Sequence, residues 1–413
     1  MKKFNLTFAA TAIAVFASNA ANPVHDRVLE YAPAPGQFVN TMPEWEDGDD
    51  ATVMAEKAYQ YTVPEESMIS LGGYGGYVVV GFDHTIVNVD GKRDIYIEGN
   101  SFYSTGNVAS SGNCEPGVVL VAYDINGNGV PDDNEWFEIK GSEYGNSKLN
   151  YVCTYYRPDD DDADIRWTDN YGNEGYIYKN QFHSQPYWPQ WLLDQETLVF
   201  RGTRLPDNGV DESGNGTYYV LSQFEYGYAD NVPNLDEGYW NEDAKIDIDW
   251  AIDVDGNSVK MPGVDFVKIY TGVNQDNGWI GENSTEVCRV IDAHVTREGS
   301  SPVLDETIAV DKSVLEAFLE KYANGNTSSV TTITDNSNLR VYLDANTGCV
   351  RFTAPTNGLA QVYNQSGILL YSATFAAGDN HIDLGSYPAG LYLVRVDGKT
   401  TKILKHKGII VIS

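Results

Sequence analysis

Apolar residues in this chain recur at every second position in short runs, and Gly or Asn turns close the runs. That period constrains the fold more than any other feature, because side chains alternate between the two faces of a strand. The segment Ser70-Leu-Gly-Gly-Tyr-Gly-Gly-Tyr-Val-Val-Val-Gly-Phe82 alternates and then turns wholly apolar, and runs at 94–98, 118–123 and 136–139 follow at sandwich-like intervals. Further strands are expected at 198–202, 218–222, 245–253 and 264–270. With 28 Tyr and 39 Gly, and Asn-Gly or Asp-Gly pairs throughout, the composition suits many short strands joined by tight turns. The expected fold class is all-β: a large, jelly-roll-like β-sandwich body over 67–300, followed by a small C-terminal immunoglobulin-like β-sandwich over 339–413.

Charge narrows the partners. The 27 basic and 59 acidic residues leave a net charge of −32, which repels nucleic acid and anionic lipid and favours divalent cations or neutral ligands. At the N-terminus, Lys2 and Lys3 precede the apolar run 4–16, and Ser18-Asn19-Ala20 supplies the small residues that a signal peptidase reads. Residues 1–20 are therefore expected to be a signal peptide and the protein to be secreted to the outer cell surface. No later segment reaches about 18 continuous apolar residues, so no transmembrane segment is expected.

Residues 21–66 are polar, broken by prolines and acidic at 44–50, and read as an extended leader packed on the body. One helix is expected near 312–323, within a helix-and-linker region at 301–338. There Val314, Leu315, Phe318, Leu319 and Tyr322 share a face, Ser313 with Glu316 makes a capping-box pattern, and Asn324-Gly325 supplies a stop. From Arg340 to Ser413 the balance inverts to seven basic and four acidic residues, with no Glu, which marks a domain boundary.

The run Asp124-Ile-Asn-Gly-Asn-Gly-Val-Pro-Asp-Asp-Asn-Glu135 matches a calcium loop position by position. Such a loop needs oxygens at positions 1, 3, 5, 7, 9 and 12 and a Gly at 6. Asp124, Asn126 and Asn128 supply side-chain oxygens, Gly129 the turn, Val130 a carbonyl, Asp132 position 9 and Glu135 a bidentate end. The flanks are β-like, so the expected cofactor is a structural calcium stapling a hairpin; the alternative is a solvated Asn/Gly turn. Asp253-Val-Asp-Gly-Asn257 lacks the closing Glu and reads as a turn, and the Asp run 159–162 reads as a solvated loop. In 245–253, alternating Asp and Ile residues predict a half-buried strand with an acidic face.

Tyr187-Trp-Pro-Gln-Trp191 sets aromatic rings among prolines in an expected surface loop, where rings stack on sugars or flat cofactors. Tyr187, Trp188 and Trp191 are the candidate ligand-binding residues, with Trp240 and Trp279 near them; a small core plugging the end of the sandwich is the alternative. His84 and His183 sit in no nucleophile, zinc or phosphate motif, and no catalytic residue is assigned. Two readings stay open for Cys114, Cys153, Cys288 and Cys349: a bridge between two of the first three, or four buried reduced thiols.

The last 75 or so residues resemble a family. The segments Gln361-Val-Tyr-Asn-Gln-Ser-Gly367, Ile382-Asp-Leu384, Pro388-Ala-Gly-Leu-Tyr-Leu-Val-Arg-Val396 and Thr401-Lys-Ile-Leu-Lys405 are similar to the type A C-terminal sorting domain of the type IX secretion system of Bacteroidetes. Asp344-Ala-Asn-Thr-Gly348 stands where that family has a Pro-Asn-Pro turn, and the tail 408–413 extends past its usual end. The resemblance implies the type IX secretion machinery as a partner. Leu71-Gly-Gly-Tyr-Gly-Gly-Tyr77, Glu115-Pro-Gly117, Trp136–Tyr144, and the stretch from Val264 to Tyr270 and on to Ser284-Thr-Glu286 also resemble uncharacterised Bacteroidetes cell-surface proteins. The function expected is a surface-attached binding protein that captures a glycan or small nutrient or adheres. A carbohydrate-active hydrolase, a structural surface-layer or adhesin component and a cobamide-capturing protein are the alternatives.

Overall fold

Ten strands of the body form its two principal sheets: β1 (Arg27–Ala32), β2 (Tyr77–Val87), β3 (Gly117–Ala122), β4 (Trp136–Ile139), β5 (Lys148–Tyr156), β6 (Ile165–Asp169), β7 (Glu174–Ile177), β8 (Thr197–Arg204), β9 (Ala251–Ile252) and β10 (Gly263–Thr271). In the computed structural model they form a six-stranded antiparallel sheet, β1-β2-β10-β3-β4-β9, and a four-stranded antiparallel sheet, β7-β6-β5-β8. The chain divides into two compact units, Met1–Phe318 and Leu319–Ser413. Described are residues 22–63, 67–104, 112–233, 241–298, 301–305 and 307–322, and then 340–344, 349–354, 357–364, 369–383, 390–396, 399–405 and 410–412. The expected signal peptide at 1–20, Trp240 and the expected linker 323–338 lie outside them.

The two sheets face each other across a core rich in tyrosine. Tyr74, Val118 and Tyr270 on one side meet Tyr151, Cys153, Tyr155, Ile165, Ile177 and Phe200 on the other. In β5 every second residue from Tyr151 is buried, which is the period-two rule at work. Tyr74 packs edge-on against Tyr151 with ring centroids 4.9 Å apart, and each such buried ring stabilises the fold by roughly 1.5–3 kcal/mol. The Gly-rich turn before β2 is needed for close approach. Gly72 has φ +68°, and a Cβ there would lie 2.1 Å from the Ala34 carbonyl oxygen.

Three sequence expectations are corrected. The leader is not extended throughout: β1 is the edge strand of the six-stranded sheet, and a helix, α1 (Ala51–Thr62), follows it. Asp50 caps α1 by accepting from Thr52 and Val53, and Met54, Ala58 and Thr62, spaced by four, form its buried face. The expected strand 245–253 is broken into Lys245–Ile246, a single 3-10 turn Ile248–Trp250, and β9. Asp247 causes the break, because its carboxylate accepts the Asp249 N–H at 2.8 Å and turns the backbone. Helix α2 (Lys312–Tyr322) starts on Asp311, which accepts from Ser313 and Val314, instead of on a Ser313 capping box. Its Phe318 is buried between Tyr123 and Phe137.

The second unit is a small sandwich. Arg340–Asp344, Cys349–Ala354 and Gly378–Asp383 form one sheet; Leu369–Phe375, Gly358–Asn364, Gly390–Val396, Lys399–Lys405 and Ile410–Ile412 form the other. Alternate residues Val350, Phe352 and Ala354 meet Tyr392, Val394 and Val396 in its core. The whole chain is thus all-β and sandwich-like.

Candidate cation sites and the aromatic loop

Residues 124–135 close the β3–β4 hairpin, and their side chains turn inward on the loop's own backbone. Asp124 Oδ1 accepts the Asn128 N–H at 3.0 Å and its Oδ2 the Gly129 N–H at 2.8 Å. Asn126 Oδ1 accepts from Asn128 at 3.0 Å, and Asn128 Oδ1 from Val130 at 2.8 Å. Glu135 closes the ring: Oε1 accepts from Ile125 at 3.0 Å and Oε2 from Asp132 at 2.9 Å. Gly127 and Gly129 take φ +69° and +79°, conformations that side chains rarely adopt. One network therefore joins Asp124, Asn126, Asn128, Asp132 and Glu135. Glu135 is buried, and burial, with Asp132 and Asp124 nearby, raises its pKa. Asp265 stands behind the loop and accepts the Asp124 N–H at 2.7 Å.

A second group of carboxylates escapes sequence reading. Glu115, Asp230 and Glu286 are all buried, and each offers an oxygen within 4.8 Å of the others, a donor set that could hold a metal ion. Glu115 and Asp230 lie outside strands, and the short strand Glu286–Val287 brings the third. Asp230 Oδ1 accepts from Asn100 and Ser101 at 2.8 Å and Oδ2 from Glu286 N–H at 3.0 Å; Glu115 Oε1 accepts from Ser284 N–H at 2.9 Å. Burial raises all three pKa values, and mutual repulsion adds to it at Glu115 and Glu286. Glu282, also buried and held by Gln37, is pushed up to about 7 by burial. Protons or a cation would each relieve this repulsion. Only the fold unites these residues, which sit far apart in the chain among 59 acidic ones.

The aromatic loop is placed differently from its expected surface position. Tyr187 and Trp188 are each only 1% exposed, and their faces pack on the protein itself. The Trp188 indole N–H donates to the Leu192 carbonyl at 3.1 Å, and Asn40 draws the loop inward by donating to the carbonyls of Pro186 and Trp188. Trp191, half-buried, stacks on Tyr31 with centroids 5.9 Å apart. Trp279 is 55% exposed. These rings close one end of the core, so no ligand face remains on Tyr187 or Trp188. His84 is held between Asp83 at 2.7 Å and Asp292 at 3.2 Å, and His183 lies edge-on to Phe38. Cys114, Cys153 and Cys288 are buried free thiols, so the bridge among them is not formed; the side chain of Cys349 lies outside the described residues.

Among the described residues no helix is long and apolar enough to cross a membrane. No family model matches the chain, and no curated protein does. Among solved structures, the CBM51-2 and INT domains of Clostridium perfringens ZmpB align over 84% of this chain and 90% of theirs. At 9% identity and a TM-score of 0.11, that likeness carries no argument about fold or function.

Proposed function

We propose that this chain is an exported protein, attached to the outer cell surface through its C-terminal unit, whose calcium-stapled body captures a glycan or small nutrient. The observation that supports it is the 124–135 loop. Five of its six expected ligand residues already share one hydrogen-bond network, with Gly129 turned as a calcium loop requires. The three ligand carboxylates, with Asp133 beside them, repel one another in so small a loop, and a divalent ion would convert that repulsion into attraction. A loop of this kind suits a compartment where calcium is abundant, which agrees with the basic, apolar N-terminus and with the resemblance of the last 75 or so residues to a type IX sorting domain.

Melting the purified chain with and without chelator tests the staple. Chelation is expected to lower the melting temperature of the body, and Asp124→Ala to abolish the difference; an unchanged melt on chelation refutes the site. Export is tested by deleting residues 340–413 and following the surface-exposed pool by protease shaving. A pool that stays at the surface refutes attachment through that unit.

A further inference from the structure

On the β4 side of the body lies a cleft of about 350 Å³ lined by residues of both sheets. Its floor is one row across the six-stranded sheet: Leu120, Glu138 and Ile252 are register partners on β3, β4 and β9. Trp136, two residues before Glu138 on β4, lies on the same face. From the other sheet Val152 and Arg201, register partners on β5 and β8, also line the cleft, on the strand face alternate to that of Tyr151 and Phe200. Tyr144, Asn150 and the turn at Asp253 and Val254 frame the mouth. That mouth is open to solvent, since Leu149 is 41% and Val254 99% exposed. Asn150 holds φ +54°, a left-handed conformation that Asn tolerates better than most residues and that shapes the rim.

The chemistry of the lining is mixed in a specific way. Trp136 and Tyr144 offer ring surface, and Lys140 already covers Tyr144 with its ammonium 5.3 Å from the centroid. Arg201 brings planar donors, Asn150 both donor and acceptor, and Asp253 and Glu138 carboxyl oxygens. An anionic ligand would meet two acidic groups and a chain of net charge −32. A cationic ligand would meet the Arg201 guanidinium. What remains is a neutral molecule with an apolar face for the rings and hydroxyls at its edge, of a size that a cleft of this volume accepts.

We propose that this cleft is a saccharide-binding site in which a neutral sugar ring stacks on Trp136 while Arg201, Asn150 and Asp253 bind its hydroxyls. This assignment rests on the binding function proposed above and gives it a place and a ligand class. Glu138, whose carboxyl burial lifts to about 7, can donate or accept toward a hydroxyl near neutral pH.

The test titrates the full-length chain, in calcium-containing buffer, with cellobiose, maltose, lactose, xylobiose, chitobiose and, as a cationic probe, choline. Tryptophan fluorescence and calorimetry read the binding. At least one disaccharide should bind, and Trp136→Ala and Arg201→Ala should each weaken it about tenfold or more, with Trp136→Phe intermediate. Trp279→Ala, outside the cleft, should bind like the wild type, and near-ultraviolet circular dichroism checks that every variant is folded. Sugar binding that survives both cleft substitutions overturns the cleft and leaves the binding function standing. Choline binding without sugar binding overturns the ligand class alone. Silence toward every probe overturns the saccharide site and counts against the binding function too.

Discussion

Glu138→Gln is a substitution whose effect on stability should depend on pH in a calculable way. Glu138 lies on the cleft floor, and the Thr203 hydroxyl donates to its Oε2 at 2.7 Å. Burial raises its pKa from 4.5 to about 7, and the Thr203 bond opposes that rise only in part. The folded protein thus holds the proton more tightly than the unfolded chain does. The stability this contributes is fully present below pH 4.5 and is lost as pH rises through about 7. A shift of about 2.5 units corresponds to about 3 kcal/mol. Because the side chain keeps some access to solvent at the cleft, about 2 kcal/mol is the better expectation. Gln keeps an oxygen for Thr203 but cannot ionise. Urea denaturation of both proteins at about pH 5 and about pH 8, following the body's transition, isolates the effect, because every other titrating group cancels in the difference. The variant should gain about 2 kcal/mol relative to wild type over that interval. A difference that stays flat with pH refutes the burial of an ionisable group at this position.

His25, fully buried with Nε2 2.9 Å from the Thr62 hydroxyl, has its pKa lowered by burial to about 4. The stability it contributes is present above pH 6.5 and lost as pH falls through about 4, costing roughly 3 kcal/mol that a His25→Gln variant should not lose; equal acid sensitivity in stability measurements refutes this. Gly72→Ala should cost at least about 2 kcal/mol by chemical denaturation, because the new Cβ meets a backbone oxygen that cannot step aside; a neutral effect refutes the tight turn. In chelator at about pH 8, Glu286→Gln should raise the melting temperature by replacing a carboxyl whose charged form burial and its acidic neighbours disfavour, while the Ser284 hydroxyl can still pair; a lower melt refutes the repulsion. Cys114, Cys153 and Cys288 should resist a thiol reagent in the native protein and all react after unfolding; fast native labelling refutes their burial.

Much of the body is legible in the amino-acid sequence, for a physical reason. β4 and β8 alternate buried and less buried residues, while β2, β3 and β10, central in the six-stranded sheet and buried on both faces, show as near-continuous apolar runs. β5 carries the period of two, in Tyr151, Cys153 and Tyr155, but tyrosines on both faces and the polar Lys148 and Asn150 at its start disguise it. α1 is harder to see beside a proline-broken, acidic stretch, although its Asp50 cap and four-residue spacing are present. The loop at 124–135 is local, so twelve consecutive residues display its ligand set. The triad of Glu115, Asp230 and Glu286 is not local, and no spacing marks three acids among 59 as buried. The cleft is equally non-local, since it needs one row from each sheet. Tyr187 and Trp188 read as exposed because prolines flank them, while the Asn40 amide that pulls them inward comes from a distant stretch.

The position of β10 determines when this body can be assembled. It pairs with β2 on one side and β3 on the other, yet it is the last of the six strands of that sheet to leave the ribosome. Until residues 263–271 emerge, β2 and β3 present open edges toward a strand that does not exist. The sheet must then close through contacts spanning much of the chain, which folds slowly and leaves a long interval without a finished core. A protein wired this way stays threadable while it is being made, and its native architecture is deferred until almost the entire body has been delivered.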